Sequence, residues 1–228
     1  MLRWLMFLTV LLYATVPLAR GEPYWVAYEG DDFPEIEGWT RVVGGGGSAR
    51  SLEHGALVLD SLEGDLLVDF YRMQRPIDPG PGELFRMEWR ARFDMVAPRT
   101  DPGVGVFSDE SWVVGFEFSD FDMRSVFEPG VTASFAPGVF HEFELLSPDM
   151  RGYEVYIDGV LALTGAFDHV LTKSEVRWGD GVQGAHSISR WDYFRFGVVP
   201  EPGTAWLALC AISLVICTRP VLQNGSAS

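Results

Sequence analysis

The sequence predicts an all-β protein, folded as a two-sheet antiparallel sandwich with jelly-roll topology. Hydrophobic and polar residues alternate over many short segments, and no stretch of residues 22–198 shows a helical period. Turn residues recur roughly every eight to twelve positions, as in sandwiches and barrels. The chain has 228 residues, of which 47% are hydrophobic and 14% aromatic, enough to fill one such core.

Individual strands can be assigned from the period-two pattern. In FRMEWRARF, residues 85–93, apolar residues fall on one face and the charged ones on the other, which is typical of a half-buried strand. WVVGFEF and FHEFELL alternate in the same way. YEVYIDGVLALT reads as a hairpin, since Asp158-Gly159 accepts the positive φ angles of a tight turn. Further strands are expected at residues 56–60, 66–71, 103–107, 175–178 and 189–197.

The N-terminus is predicted to be a signal peptide rather than part of the fold. One arginine precedes an uncharged apolar segment, residues 4–16, and small residues at Ala19 and Gly21 suit a signal peptidase that cuts before Glu22. Residues 1–21 are therefore predicted to form a signal helix that is removed. A buried first helix or an uncleaved anchor is the alternative.

A second apolar segment lies near the C-terminus, at residues 205–217. Its length of about 13 residues falls short of the roughly 20 that cross a bilayer comfortably, so a short apolar helix is predicted. Both cysteines of the chain, Cys210 and Cys217, lie in this segment. Disulfides are therefore not expected to stabilise the sandwich.

The sequence around this segment resembles a known sorting signal. Pro200-Glu201-Pro202 and Gly203 precede the apolar residues, and Arg219 follows them. This arrangement is similar to the PEP-CTERM signal of Gram-negative bacteria. The resemblance implies recognition and cleavage by exosortase, a membrane protease. It also implies export across the inner membrane to the envelope, outer surface or extracellular matrix, with at least transient membrane contact.

One departure from that family leaves an alternative open. The family usually ends in a cluster of arginines, whereas this chain has Arg219 alone and then the polar tail PVLQNGSAS. Residues 199–228 are assigned to the sorting signal, either as a cleaved tail or as a retained anchor.

The intervening residues 22–198 also resemble a family. YEGDDFPEIEGWTRV, YEVYIDG and VRWGDGVQGAHSISRWDYFRF are similar to segments of laminin-G-like domains of the concanavalin A-like lectin/glucanase superfamily. The resemblance implies a jelly roll that binds sugar or protein on its concave sheet or rim, often with calcium. It does not imply one function, because this fold serves lectins, glycosidases and inert spacers.

The sequence lacks the common catalytic motifs, which predicts that the protein is not an enzyme. Glucanases of that superfamily carry Glu-x-Asp-x-x-Glu on one strand, and neither EGDDFPE at residues 29–35 nor EGDLLVD at residues 63–69 matches it. The four histidines have no zinc-ligand spacing, and no Gly-x-Ser-x-Gly nucleophile elbow is present. No catalytic residue is assigned. A carboxylate pair drawn from separate strands remains the alternative.

Ligand-binding residues are suggested by the aromatic and acidic side chains near loops. Trp178 and Trp191 flank a glycine-rich loop and are the first candidates for stacking on a sugar ring, although most tryptophans are expected in the core. Calcium is the candidate cofactor, and Asp120, Asp122 and Asp192 are its candidate ligands. Turn capping is the alternative for the aspartates. Asp192 lies within a strand and should have an arginine, a backbone donor or a metal as partner.

The net charge of −15 is spread along the chain and argues against nucleic acid as a partner.

The first functional hypothesis is an exported, non-enzymatic surface or matrix protein that binds carbohydrate, such as polysaccharide, or other envelope components. The second is a structural or adhesive protein without a small-ligand site. The third is a glycoside hydrolase with dispersed carboxylates.

Overall fold

The computed structural model describes residues 26–44, 49–61, 68–96, 102–108, 111–169, 174–180 and 187–201. These residues form strands and one 3₁₀ turn, Pro34–Glu37. The strands are β1 (Val26–Tyr28), β2 (Thr40–Gly44), β3 (Ala49–Glu53), β4 (Ala56–Asp60), β5 (Val68–Met73), β6 (Glu83–Val96), β7 (Pro102–Phe107), β8 (Trp112–Phe118), β9 (Asp122–Ser125), β10 (Thr132–Ser134), β11 (His141–Ser147), β12 (Gly152–Ile157), β13 (Val160–Ala166), β14 (Asp168–His169), β15 (Glu175–Asp180) and β16 (Ser187–Pro200).

The strands form two antiparallel sheets packed as a jelly-roll sandwich, which confirms the predicted fold class. Sheet I has the order β13-β12-β11-β6-β16-β4-β3, with β1 beside β16. Sheet II has the order β10-β9-β8-β7-β15-β5-β2, with β14 beside β8. Neighbours in each sheet come from distant parts of the chain, such as β6 and β16, so the sandwich is held by long-range pairing.

Aromatic side chains fill the space between the sheets. Trp178 of sheet II is fully buried, with its ring centroid 4.9 Å from Tyr71, 5.2 Å from Tyr28 and 5.3 Å from Phe194 of sheet I. On sheet I, Trp89 stacks on Phe143 of the neighbouring strand, at 5.2 Å. Sheets about 10 Å apart need side chains of this size, and the offset stacking adds to the burial energy.

The last strand is longer than the sequence indicates. We expect it to end at Gly197, yet β16 pairs with β6 as far as Pro200, which lies opposite Glu83. The extension follows from burial, because Val199 is 7% exposed, and from the Glu201 backbone N–H, which donates to the Gly82 carbonyl at 2.9 Å. Proline is tolerated here because it ends the strand.

The hairpin between β12 and β13 forms as predicted. Asp158 and Gly159 have φ angles of 51° and 77°, as a tight turn with two left-handed residues requires. The Asp158 carboxylate also accepts a hydrogen bond from the Glu142 backbone N–H at 3.0 Å and contacts His141 Nδ1 at 2.6 Å. The turn is thereby tied to the neighbouring strand β11.

These contacts give the hairpin a pH dependence. Partial burial opposes ionisation of Asp158, but the Glu142 N–H and the His141 ring outweigh it and lower the pKa of the carboxyl group. Stabilisation by the carboxylate is therefore complete above about pH 4 and is lost as the pH falls through the lowered pKa.

We predict that Asp158→Asn is less stable than the wild type at pH 7, by roughly 1 kcal/mol or less, because asparagine keeps the turn but not the charge. Urea unfolding at pH 7 and pH 3 measures this difference, which should shrink at pH 3. An undiminished difference at pH 3 would contradict the role of ionisation.

Candidate functional site

The outer faces of the two sheets differ in chemistry. Sheet I carries opposite charges in ion pairs, including Arg86 with Glu144 at 2.6 Å and Arg190 with Asp94 at 2.7 Å. Such exposed pairs satisfy one another and leave a solvated surface. The centre of sheet II instead has a cluster of glycines, and a groove of about 190 Å³ lies there.

Glycines form the floor of this groove. Val104 and Val106 of β7 face the core. Gly103 precedes Val104 and Gly105 follows it, so both glycines face outward. The register places Gly105 opposite Gly115 of β8 and Gly103 opposite Gly179 of β15. The four glycines therefore form one patch across three adjacent strands. We call this site the glycine-floored groove.

Close approach of aromatic rings explains why two of these positions are glycine. A Cβ atom at Gly105 would stand 3.1 Å from the Phe107 ring, and one at Gly115 would stand 3.3 Å from the Phe127 ring. Glycine in a strand is typical where another group lies close to the sheet. The missing side chains let both rings lie low over the strands and form the sides of the groove.

An arginine and a glutamate are the charged residues along the groove. The Arg177 guanidinium lies over two rings, 4.4 Å from the centroid of Phe107 and 5.3 Å from that of Phe70. These cation–π contacts hold the arginine in place. Glu117, at another side of the groove, accepts hydrogen bonds from Arg124 at 3.0 and 3.1 Å. The groove thus combines apolar surface with groups that can bind hydroxyl or charged ligands.

The carboxylates on this face do not match the spacing of a glycosidase pair. Glu117 of β8 and Gly179 of β15 both lie opposite Gly103 of the strand between them. Glu175 is four residues from Gly179 along β15, and therefore two strands away from Glu117. The two Cα atoms are therefore roughly 16 Å apart, estimated from strand geometry. Arg124 holds Glu117, and Arg177 and Arg72 hold Glu175. Glycosidases need carboxyl groups about 5–10 Å apart.

Two other hollows in the described part of the chain are larger. One of about 570 Å³ is lined by residues that include Pro148, Asp149 and Tyr153, and one of about 430 Å³ by residues that include His141 and Asp158. Their polar groups are engaged within the fold. Asp149, for example, accepts the N–H groups of its own loop, and His141 contacts Asp158 and the Ala136 carbonyl. The groove on sheet II is the better candidate site because it combines a glycine floor with aromatic rings and charged groups.

The two tryptophans predicted to bind sugar lie in the core, which corrects that prediction. Trp178 and Trp191 both have no solvent exposure. Trp178 faces inward because β15 alternates, and the Trp191 indole N–H donates to Ser189 Oγ at 2.9 Å. Neither ring face can stack on an external sugar.

The candidate calcium ligands lie on different sheets. Asp120 and Asp122 lie at the β8–β9 turn of sheet II, where Asp122 accepts a hydrogen bond from the Ser119 hydroxyl at 2.7 Å. Asp192 lies on sheet I and pairs with Arg90, the type of partner expected for it. Within the residues that the structure describes, no three carboxylate, imidazole or thiol groups converge as metal ligands would.

Most of the sorting-signal prediction falls outside the described residues. Pro200 and Glu201 are described, as the end of β16 and the residue after it, whereas Pro202, Gly203 and Arg219 are not. The predicted signal peptide, residues 1–21, also lies outside. Export, exosortase recognition and the domain boundaries at 22 and 199 therefore stay predictions. Across the described ranges, no helix is long and apolar enough to span a membrane.

Comparisons with solved structures support the fold. A carbohydrate esterase from a Shiga toxin-encoding bacteriophage has a TM-score of 0.60 at 8% identity, covering 78% of this chain and 99% of that one. A glycosyl hydrolase family protein from Mycobacterium fortuitum has a TM-score of 0.50 at 15% identity, covering 76% of this chain and 99% of that one. The Crh5 transglycosylase in complex with NAG has a TM-score of 0.53 at 10% identity, covering 77% of this chain and 83% of that one. No protein-family model and no curated protein matches the chain.

These comparisons correct the prediction that the protein is not an enzyme. The structures that share its fold include an esterase, a glycosyl hydrolase and a transglycosylase. Identities this low show the fold alone and do not identify a reaction. A sandwich of this kind is nevertheless compatible with catalysis, and one missing motif does not exclude it.

The glycine-floored groove is not among the predicted sites, although the sequence carries a signal for it. PGVGVF places glycine at two outward positions of one strand, and WVVGFEF places another on the next strand. Glycine weakens a strand, so repeated glycines on one face indicate a close approach or a ligand. The register that joins them into one patch could only come from the structure.

Proposed function

We propose that this protein binds carbohydrate in the glycine-floored groove. The observation that carries the proposal is the patch of four glycines with aromatic rings beside it, on the outer face of sheet II. Sugar rings present flat apolar faces and a rim of hydroxyls, so they suit a surface that combines low-lying aromatic rings with a few polar groups.

The dimensions of the groove favour a chain over an enclosed small molecule. Its volume of about 190 Å³ is below the roughly 300–1,000 Å³ of pockets that enclose drug-sized ligands. A polysaccharide lying across the strands would place a short stretch of its chain in the groove. Support also comes from the fold, since proteins described as carbohydrate esterase and glycosyl hydrolase share it.

Filling the groove tests this proposal. We predict that Gly105→Leu weakens polysaccharide binding about tenfold or more, because the new side chain occupies the floor beside Phe107. Affinity electrophoresis against a panel of neutral and acidic polysaccharides measures the effect. Thr164→Leu, which adds the same side chain on exposed strand β13, is the matched control and should bind as the wild type does. Unchanged binding by a folded Gly105→Leu variant would contradict the proposal.

Glu117 is the residue to test for catalysis. It is the acidic side chain among the described residues lining the groove, and glycan-cleaving enzymes use carboxylates as acids, bases or nucleophiles. We expect any polysaccharide hydrolysis by the protein to fall about 100-fold or more in Glu117→Gln. Reducing-sugar release measures this, with Glu154→Gln on sheet I as control. Equal rates for both variants would exclude Glu117 from the reaction.

We further propose that the protein works outside the cytoplasm. Its support is the signal-peptide pattern of residues 1–21 and the PEP-CTERM-like residues 199–228. The proposed partners are exosortase, the membrane during sorting, and polysaccharide of the envelope or matrix.

Mass analysis of both termini, after fractionation of a Gram-negative host, tests this localisation. We expect an envelope or extracellular form that begins near Glu22 and has lost part of residues 199–228. A cytoplasmic form that retains Met1 would contradict export. An exported form with an intact C-terminus would contradict cleavage and favour an anchor.

A further inference from the structure

Two arginines face each other beside the glycine-floored groove. Arg72 of β5 lies directly opposite Arg177 of β15, and both side chains point outward because Tyr71, Val176 and Trp178 beside them are buried in the core. Their side chains are 40% and 39% exposed. Like charges directly opposite each other on one sheet face are destabilising, so this pair requires compensation.

One buried carboxylate provides part of that compensation. Glu175 is 3% exposed and pairs with Arg177, and its Oε2 atom lies 3.8 Å from Nη1 of Arg72. A single carboxylate cannot neutralise two guanidinium groups, so among the residues that the structure describes one positive charge remains at this surface. This charge is notable in a chain whose net charge is −15.

The position of the pair connects it with the groove. Arg177 lies opposite Gly105 of the groove floor, and its guanidinium is fixed over Phe70 and Phe107. Glu117, also along the groove, is already paired with Arg124. A ligand in the groove would therefore meet net positive charge at the Arg72–Arg177 side.

We propose that the groove selects anionic sugar units, with the negative group bound by Arg72 and Arg177 and the ring against the glycine floor. This inference rests on the proposed function and deepens it. Guanidinium groups present donors in a planar fork that matches carboxylate and other oxyanions, and two of them at one place bind such a group from two directions.

Polygalacturonate and its fully methyl-esterified form test the charge requirement, because esterification removes the negative charge and keeps the chain. We expect the full chain at 0.15 M salt to bind polygalacturonate about tenfold more tightly than the ester, with an affinity that falls as salt rises. Dextran sulfate and uncharged dextran form a second pair that distinguishes sulfate from carboxylate recognition.

Arg72→Gln is the most informative variant. Arg72 is half exposed and its contact with Glu175 is long, so its removal leaves the Glu175–Arg177 pair intact. We expect it to reduce binding of the preferred anionic polymer about fivefold and to leave binding of the neutral polymer unchanged. Arg90→Gln is the matched control, since Arg90 is 39% exposed and ion-paired on sheet I. Glu175→Gln should bind the anionic polymer at least as tightly as the wild type.

Equal affinity for the charged and uncharged member of both pairs would overturn the inference. So would an Arg72→Gln variant that binds the anionic polymers like the wild type. If Gly105→Leu still weakens binding in either case, the proposed carbohydrate site stands without charge selection. Absence of binding to all four polymers would overturn the proposed function together with the inference.

Discussion

The stacking of Trp178 between the sheets is the contact on which the arrangement of the site depends. Its ring lies against Tyr71 of the same sheet and Phe194 of the other, fully removed from water. Because side chains alternate along a strand, an inward Trp178 forces Arg177 outward. The register with β7 then brings Gly105 beside Arg177. The core residue thus fixes which residues of β15 face a ligand.

The glycines that form the groove lower the stability of the strands that carry them. Glycine is disfavoured in strands, and four glycines lie together in the middle of sheet II. The opposite face of the same strands carries Val104, Val106, Val114 and Phe116, all buried. Packing on the inner face therefore stabilises strands whose outer face contributes little. The two faces divide structural and binding roles between them.

The sequence was sufficient for the fold class and for most strands, because alternation reports directly which side of a strand is buried. It was sufficient for the Asp158-Gly159 hairpin as well, since that turn is a local property. It failed for Trp178 and Trp191, where residue type suggested a ligand and the period indicated the core. It failed also for the aspartates and the glycines, because only the order of strands in the sheets decides which residues meet.

The extension of β16 to Pro200, followed by the Glu201–Gly82 hydrogen bond, has a consequence for the reach of the C-terminal segment. Only four peptide steps separate Glu201 from Ala205, where the apolar residues begin. A chain of that length spans about 14 Å at most. If the apolar segment enters a bilayer, the sandwich must therefore lie almost against the headgroups. A protease that cuts between Glu201 and Ala205 would therefore have to act close to the surface of the folded sandwich.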